Sequence, residues 1–382
     1  MVAAFKLINK SRVSTFIELG EAIRLQWGKY NYLEDALPDI SSEILDKMKI
    51  HQFVSPEDVM NLALNPDPML SAFQMDSPFG DLQQIPYRHA KFFIEVLYWC
   101  DGATGIHGHG FSGAFSVLHG SSINAEYQFE KHDKINHHFL FGKLSKPNIS
   151  KLSVGSIKTI YSGDRFIHSV FHLDNPTISI VVRTHQDDDA MPQFEYRGSH
   201  ICLVKEISPE LTKQIQALKF VFSTDKDDFV KYFTKIYLTA PLDEKYWLIR
   251  ALYTNLCKIP ALWQLIHQGN DQKTQWIIDS ISEEAILSKV INIRTKTQDV
   301  ELRYFIALLM NIPKWDEVTE FVKKYYENEP EKMIERCFSK LQSLGYQLPE
   351  INKITFDTKN EMLDVITEEN ALRKMIIKKL YN

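Results

Sequence analysis

The sequence predicts an α+β protein: a central antiparallel β-barrel flanked by N-terminal helices and a long all-helical C-terminal region. Three observations carry this. Apolar residues recur at helical spacing before about residue 75. Short runs of aromatic and β-branched residues, parted by Gly, Asp, Asn and Pro, fill 76–206. Helical periodicity then returns from Ser208 to the end. The expected domains are a helical region 1–75, a β-barrel 76–206 carrying the functional site, and a helical domain 207–382.

In the first region, FIELGEAIRLQW repeats apolar residues at roughly helical spacing. SPEDVMNLAL carries a start signal, with Ser55 as N-cap, Pro56 at the first helical position and acids in the first turn. NPDP at 65–68 ends it. The runs KFFIEVLYW, GAFSVLHG, INAEYQF, KLSVGSIKTIY, PTISIVVRT and SHICLVKEI then read as short strands. Strands at such close spacing point to a sandwich or barrel rather than to βαβ units. SPELTKQIQALKFVF opens the last region with Ser-Pro-Glu, another start signal. Prolines at 241, 260, 313 and 330 punctuate the rest of the chain. LYTNLCKIPALWQLI and IALLMNIPKWDEV both read helix, Ile-Pro, helix, which suggests either a duplicated helical hairpin or a bundle with proline-terminated helices.

Composition narrows the function classes. The 382-residue chain is 44% hydrophobic and 24% charged, as in ordinary globular proteins, and its net charge of −5 gives no basic footprint for nucleic acid. No apolar run reaches membrane-span length. Cys100, Cys202, Cys257 and Cys337 are isolated, with no CxxC pair, which fits a reducing cytosol. A cytoplasmic location is therefore expected, with a small molecule and O2 as partners, no nucleic acid and no membrane. A homodimer is compatible with the chain.

The chemistry concentrates in GIHGHGFSGAFSVLHG (105–120) and DRFIHSVFH (164–172). On a strand, residues i and i+2 share a face, so His107 and His109 aim both rings into one space. The glycines around them allow close backbone approach. Neutral imidazole is a common ligand of first-row metals. His168 is the expected third ligand, with His172 as the competing candidate. The bland alternative is a histidine-bearing loop. Ser179, Val181 and Arg183 of TISIVVRT share one face. Arg183 reads either as a clamp for a carboxylate or phosphate, or as half of a salt bridge to the DDD run at 187–189.

These stretches resemble the two motifs of the cupin superfamily, whose fold is a jelly-roll β-barrel. The first is Gly102, a spacer, His107-Gly108-His109, then a gap closing at Gly120; the second is Gly155, YSGDRFI, then His168. The position of the usual first-motif Glu is occupied by Gly113, as in the three-histidine, cysteine dioxygenase-like thiol dioxygenase branch. Trp99 before the motif and Tyr87-Arg88 upstream also agree with that branch. The resemblance implies a metal at His107, His109 and His168, iron(II) first with another divalent metal as alternative, and a substrate-carboxylate role for Arg88. The branch places Ser, His and Tyr at alternate positions of the strand after the third ligand. Here only Ser179 matches, and Arg183 stands in place of the tyrosine, so thiol oxidation is not supported.

The expected function is a non-haem iron oxygenase or oxidase acting on a small carboxylate- or amine-bearing metabolite. Three neutral imidazoles leave positions open for O2 and substrate and favour anionic donors. Arg88, Arg183, Ser179 and His172 are the candidate substrate-handling residues. The alternatives are a metal-dependent isomerase, lyase or hydrolase, and a non-catalytic binding or scaffold protein.

Overall fold

The computed structural model describes residues 2–65, 73–75, 79–100, 102–188, 192–268, 271–312, 315–326 and 328–344. They fall into two units, one made of 1–128 with 147–193 and the other of 129–146 with 194–382.

The first unit holds curled antiparallel sheets of jelly-roll type with helices before them. One sheet has the order β1–β2–β11–β4–β9, formed by Leu82–Arg88, Phe92–Trp99, Thr177–Thr184, Gly113–His119 and Ile157–Ile160. Facing it, β3 (Ile106–His109), β10 (Gly163–His172), β5 (Ser122–Tyr127) and β8 (Asn148–Leu152) pair in that order. The run read as KLSVGSIKTIY is two strands. It breaks at Gly155, whose φ of +85° few other residues adopt, and its halves β8 and β9 join different sheets.

The first sheet is buried on both faces, and this explains its nearly unbroken apolar strands. Its outer face presents Phe92, Ile94, Val96 and Tyr98 of β2 with Ile178, Ile180 and Val182 of β11. Against these pack Phe16, Leu19, Ile23 and Trp27 of α1 (Val2–Gly28) and Leu37, Ile40 and Leu45 of α2 (Leu37–Met48). Each such side chain contributes about 1.5–3 kcal/mol on burial, so the helices and the sheet share one core. Gly20 lets α1 lie flat on Tyr87, because a Cβ there would come within 2.4 Å of the ring. α3 (Pro56–Leu64) starts as its sequence suggests: Ser55 and Asp58 form a reciprocal capping box. The inner face carries Leu97, Phe115, Val117 and Val181, which close a second core with Phe111, Leu152, Ile160 and Phe166.

In the second unit, strands β6 (Phe129–Lys134), β7 (Phe139–Leu144), β12 (Glu195–Arg197) and β13 (Ile201–Leu203) accompany the helices. Phe139, Phe141, Ile201 and Leu203 enter the helical core with Leu211, Phe229, Phe233, Trp247 and Leu252. The Ser208 hydroxyl accepts the Leu211 N–H at 3.1 Å, and Asp225, Asp271 and Asp299 cap later helices in the same way. Pro260 and Pro330 begin helices Pro260–His267 and Pro330–Ser343. Pro313 lies outside the described residues. No described helix is long and apolar enough to cross a membrane.

Candidate metal centre

Strand register assembles the site. His168 of β10 lies directly across from His107 of β3, and Gly163 lies across from His109. Cross-strand partners hold their Cβ atoms about 4.5–5.5 Å apart, so one pairing and one i, i+2 step bring three rings together. The ring centroids stand 4.7 Å (His107–His109), 4.9 Å (His107–His168) and 4.9 Å (His109–His168) apart. All three residues are buried, and each offers a nitrogen within 4.8 Å of the others. Gly108, between the first two, makes this possible: a Cβ there would sit 2.6 Å from the Gly163 carbonyl.

Two of the rings are held by hydrogen bonds behind them. The Nδ1–H of His107 donates to the Gly105 carbonyl at 2.8 Å. The Nδ1–H of His168 donates to Asn124 Oδ1 at 3.0 Å. The Asn124 amide is itself oriented, since its Nδ2 donates to Glu126 Oε1 at 2.8 Å and Glu126 receives Lys158 Nζ at 2.6 Å. Both bonds put the proton on Nδ1 and make Nε2 the basic nitrogen. This is the outer-layer arrangement that orients histidine ligands. His109 is wedged between the rings of Phe166, stacked at 5.7 Å, and Phe111, edge-on at 4.9 Å. Burial, then the neighbouring imidazoles, holds His109 and His168 well below the ordinary histidine pKa, so both are neutral near pH 7. Three buried, converging imidazoles, two of them held neutral, fit a divalent metal, whose bonds to histidine nitrogen run to about 2.0–2.1 Å. Replacing Asn124 by leucine is expected to weaken metal binding about 10–100-fold while the chain still folds, because His168 loses its orienting acceptor. Competition with a chelator at fixed pH reads this, and unchanged affinity would remove Asn124 from the site.

The cluster opens into a cavity between the two sheets, about 80 Å³ of which is open to the centres of water molecules. Its walls are mainly Leu97, Phe111, Phe115, Val117, Val170 and Val181. Since about 10–15 Å³ of such space suffices for one water, the room is that of a small ligand.

The other sequence candidates divide between the cavity wall and solvent. His172 lines the same cavity, two inward positions beyond His168, but lies outside the cluster. Its Nδ1 meets the Ser122 hydroxyl at 3.0 Å, and its ring stacks on Trp99 at 4.6 Å. Ser179 also faces the cavity and accepts the Trp99 Nε1–H at 3.2 Å. Arg88 does not join them: it ends the edge strand β1 with its side chain exposed, and it is absent from the cavity wall. Arg183 does face the cavity, yet every guanidinium nitrogen already has a partner. Nε donates to the Thr184 carbonyl at 3.3 Å, Nη2 approaches the His185 carbonyl at 3.5 Å, and Nη1 stands 3.5 Å from Glu95 Oε1. The group also lies 3.8 Å from the centre of the Phe111 ring. Asp187, the first acid of the DDD run, is not its partner: it is buried and accepts hydrogen bonds from the hydroxyls of Ser112 (2.5 Å) and Thr184 (2.6 Å).

Sequence reasoning passed over Glu95. It is 2% exposed, lines the cavity, and accepts a hydrogen bond from the Gln83 amide as well as pairing with Arg183. Burial raises its carboxyl pKa, with Arg183 and Gln83 opposing. The signal was there: Glu95 is two and four residues before Leu97 and Trp99, hence on their face of β2, and it is the one acid in FFIEVLYW.

No family model matches the chain, and no curated protein matches it. Solved structures similar to it include double-stranded β-helix and cupin proteins. An uncharacterized conserved protein with a double-stranded β-helix domain from Klebsiella pneumoniae is 12% identical, over 38% of this chain and 95% of that one, with a TM-score of 0.21. A cupin-2 domain protein from Shewanella frigidimarina is 10% identical, over 32% and 99%, at 0.19. The DMSP lyase DddQ from Ruegeria pomeroyi is 14% identical, over 45% and 95%, at 0.22. Likenesses of this size carry no functional weight, and the site stands on its own residues.

Proposed function

We propose that the protein is a metal-dependent enzyme, an oxygenase or oxidase in which His107, His109 and His168 hold a divalent metal, iron(II) foremost. One observation supports it above the rest: three buried imidazoles, two with Nδ1 pinned from behind, converge at a cavity of small-ligand size. When bound, such a metal supplies positive charge and adjacent open positions for O2 and for one donor atom of a substrate. The chain's own residues do the rest. Leu97, Phe115, Val117 and Val181 shed water around the substrate body, while Trp99, Ser179, Ser122 and His172 form a hydrogen-bonded wall. Arg88 stays away from this cavity, and Arg183 serves as the partner of Glu95.

A non-oxidative reading, as a lyase or isomerase using the metal as a Lewis acid, is favoured by the buried carboxyl of Glu95 in the same cavity. Elemental analysis of the wild type, His107→Ala and His168→Ala tests the metal; O2 consumption after anaerobic iron(II) loading, with a panel of small metabolites, separates the two chemistries. About one metal per chain in the wild type, lost in both variants, is the expected result. Metal retained in both variants, or absent from all three proteins, would sink the proposal. Turnover without O2 uptake would select the non-oxidative reading.

A further inference from the structure

We propose that Glu95 is the proton acceptor of this cavity, and that the substrate is a small, largely apolar weak acid that enters uncharged. The inference rests on the metal reading of the three histidines. Beyond the metal itself, the one cationic side chain on the described wall, Arg183, has a contact at each of its three nitrogens and faces Glu95, so no second cation waits for a charged substrate. The rest of the wall is mainly aliphatic and aromatic, with hydroxyls at Ser122 and Ser179, so whatever part of a charged group the metal does not meet would lose its hydration for little in return.

A metal on three neutral imidazoles nevertheless favours an anionic donor. A neutral acid meets both conditions if its proton has somewhere to go inside the cavity. The substrate's S–H or O–H bond breaks, its bonding pair stays on the donor atom, and the proton forms an O–H bond at a Glu95 carboxylate oxygen. Atoms and charge balance: one anion replaces another, and the total charge of the cavity is unchanged.

The charged and titratable groups around Glu95 leave it as the acceptor. From β11 it faces Arg183, which stays protonated, and from β1 the Gln83 amide, which does not titrate. The facing sheet contributes His107, His109 and His168, committed to the metal, and His172, whose Nδ1 is on Ser122 and whose ring lies on Trp99. Burial makes the Glu95 carboxylate a stronger base than a surface one.

The test uses the full-length protein loaded anaerobically with cobalt(II), titrated with ethanethiol and, separately, with propionate. Calorimetry in buffers of different ionisation enthalpy counts the protons released per ligand bound. In the wild type, ethanethiol is expected to bind with roughly no proton release; in Glu95→Gln about one proton appears in solution and affinity falls about tenfold per unit drop in pH. Because Glu95→Gln leaves Arg183 unpaired, the double variant Glu95→Gln/Arg183→Met serves as the folding-safe version, with the same proton release expected. Metal content of each variant is measured first, so loss of cobalt from the wild type condemns the metal reading. Three other outcomes condemn this proposal alone: failure of cobalt-loaded wild type to bind ethanethiol, tighter binding of propionate, or unchanged proton counts in both variants. Proton release that appears in His172→Asn instead would move the role to His172.

Discussion

Replacing Arg183 by methionine is expected to destabilise the β-unit by about 3–5 kcal/mol at neutral pH, the usual cost of stranding one member of a buried ion pair. Glu95, 2% exposed, then keeps the Gln83 amide as its one hydrogen-bond partner among the described residues. The loss should shrink as the solution is acidified. Burial already lifts the folded-state carboxyl above its ordinary value of 4.5, with Arg183 opposing, and removing Arg183 lifts it further. A carboxyl raised in the folded state is no burden below its unfolded value, where it is protonated in both states. It becomes a full burden as pH rises through the raised folded value. Urea unfolding of the wild type and Arg183→Met near pH 4.5 and pH 7.5 reads this, the smaller difference belonging to the lower pH. Adding Glu95→Gln should restore most of the stability, since removing both charges together leaves nothing stranded. A residual loss of about 0.5–2 kcal/mol would remain from the guanidinium on Phe111. If Arg183→Met costs less than about 1 kcal/mol with no pH dependence, the guanidinium does not neutralise Glu95.

That pair marks where the sequence stops being legible. The β-prone runs, the helix starts at Ser55 and Ser208 and the jelly-roll class could be read because each is a local pattern of period or capping. The histidine trio was readable for a related reason: His107 and His109 share a face by parity alone, and a third histidine lay on another strand of the same sheet system. What parity cannot give is depth. Arg88 and Arg183 looked alike as carboxylate clamps. One ends an edge strand in solvent, while the other sits on the central strand over Phe111 with every nitrogen engaged. Choosing between His168 and His172 needed register, because both face inward and only His168 lies opposite His107. Glu95 was hidden by its neighbours: a strand buried on both faces reads as continuous apolar sequence, and one acid within it passes for noise.

Gly113 stands where the cupin motif that the sequence resembles carries an acid, and the backbone around it gives the second large expected effect. Gly113 begins β4 and pairs with Arg183 of β11 and Ile160 of β9. A Cβ built on it would lie 1.9 Å from the Val182 carbonyl oxygen and 2.9 Å from the Arg183 Cα, both main-chain atoms of the central strand. Any side chain there must part β4 from β11, the strands that carry Phe115, Val117, Ser179, Val181 and Arg183 into the cavity. Gly113→Ala should therefore fall in the far tail of single-substitution effects, above about 4 kcal/mol, and lower the melting temperature by roughly 10 °C or more. Gly113→Glu should be worse: its carboxylate cannot reach the histidines without first breaking the sheet that frames them. On this argument, if the three histidines hold a metal, the close approach of two strands is what leaves no room for a further donor at position 113. Differential scanning calorimetry of both variants, with metal content measured alongside, decides it. A Gly113→Glu protein that melts cooperatively near the wild-type temperature and binds metal more tightly would show that the strands can yield, and that the acid's absence has another origin.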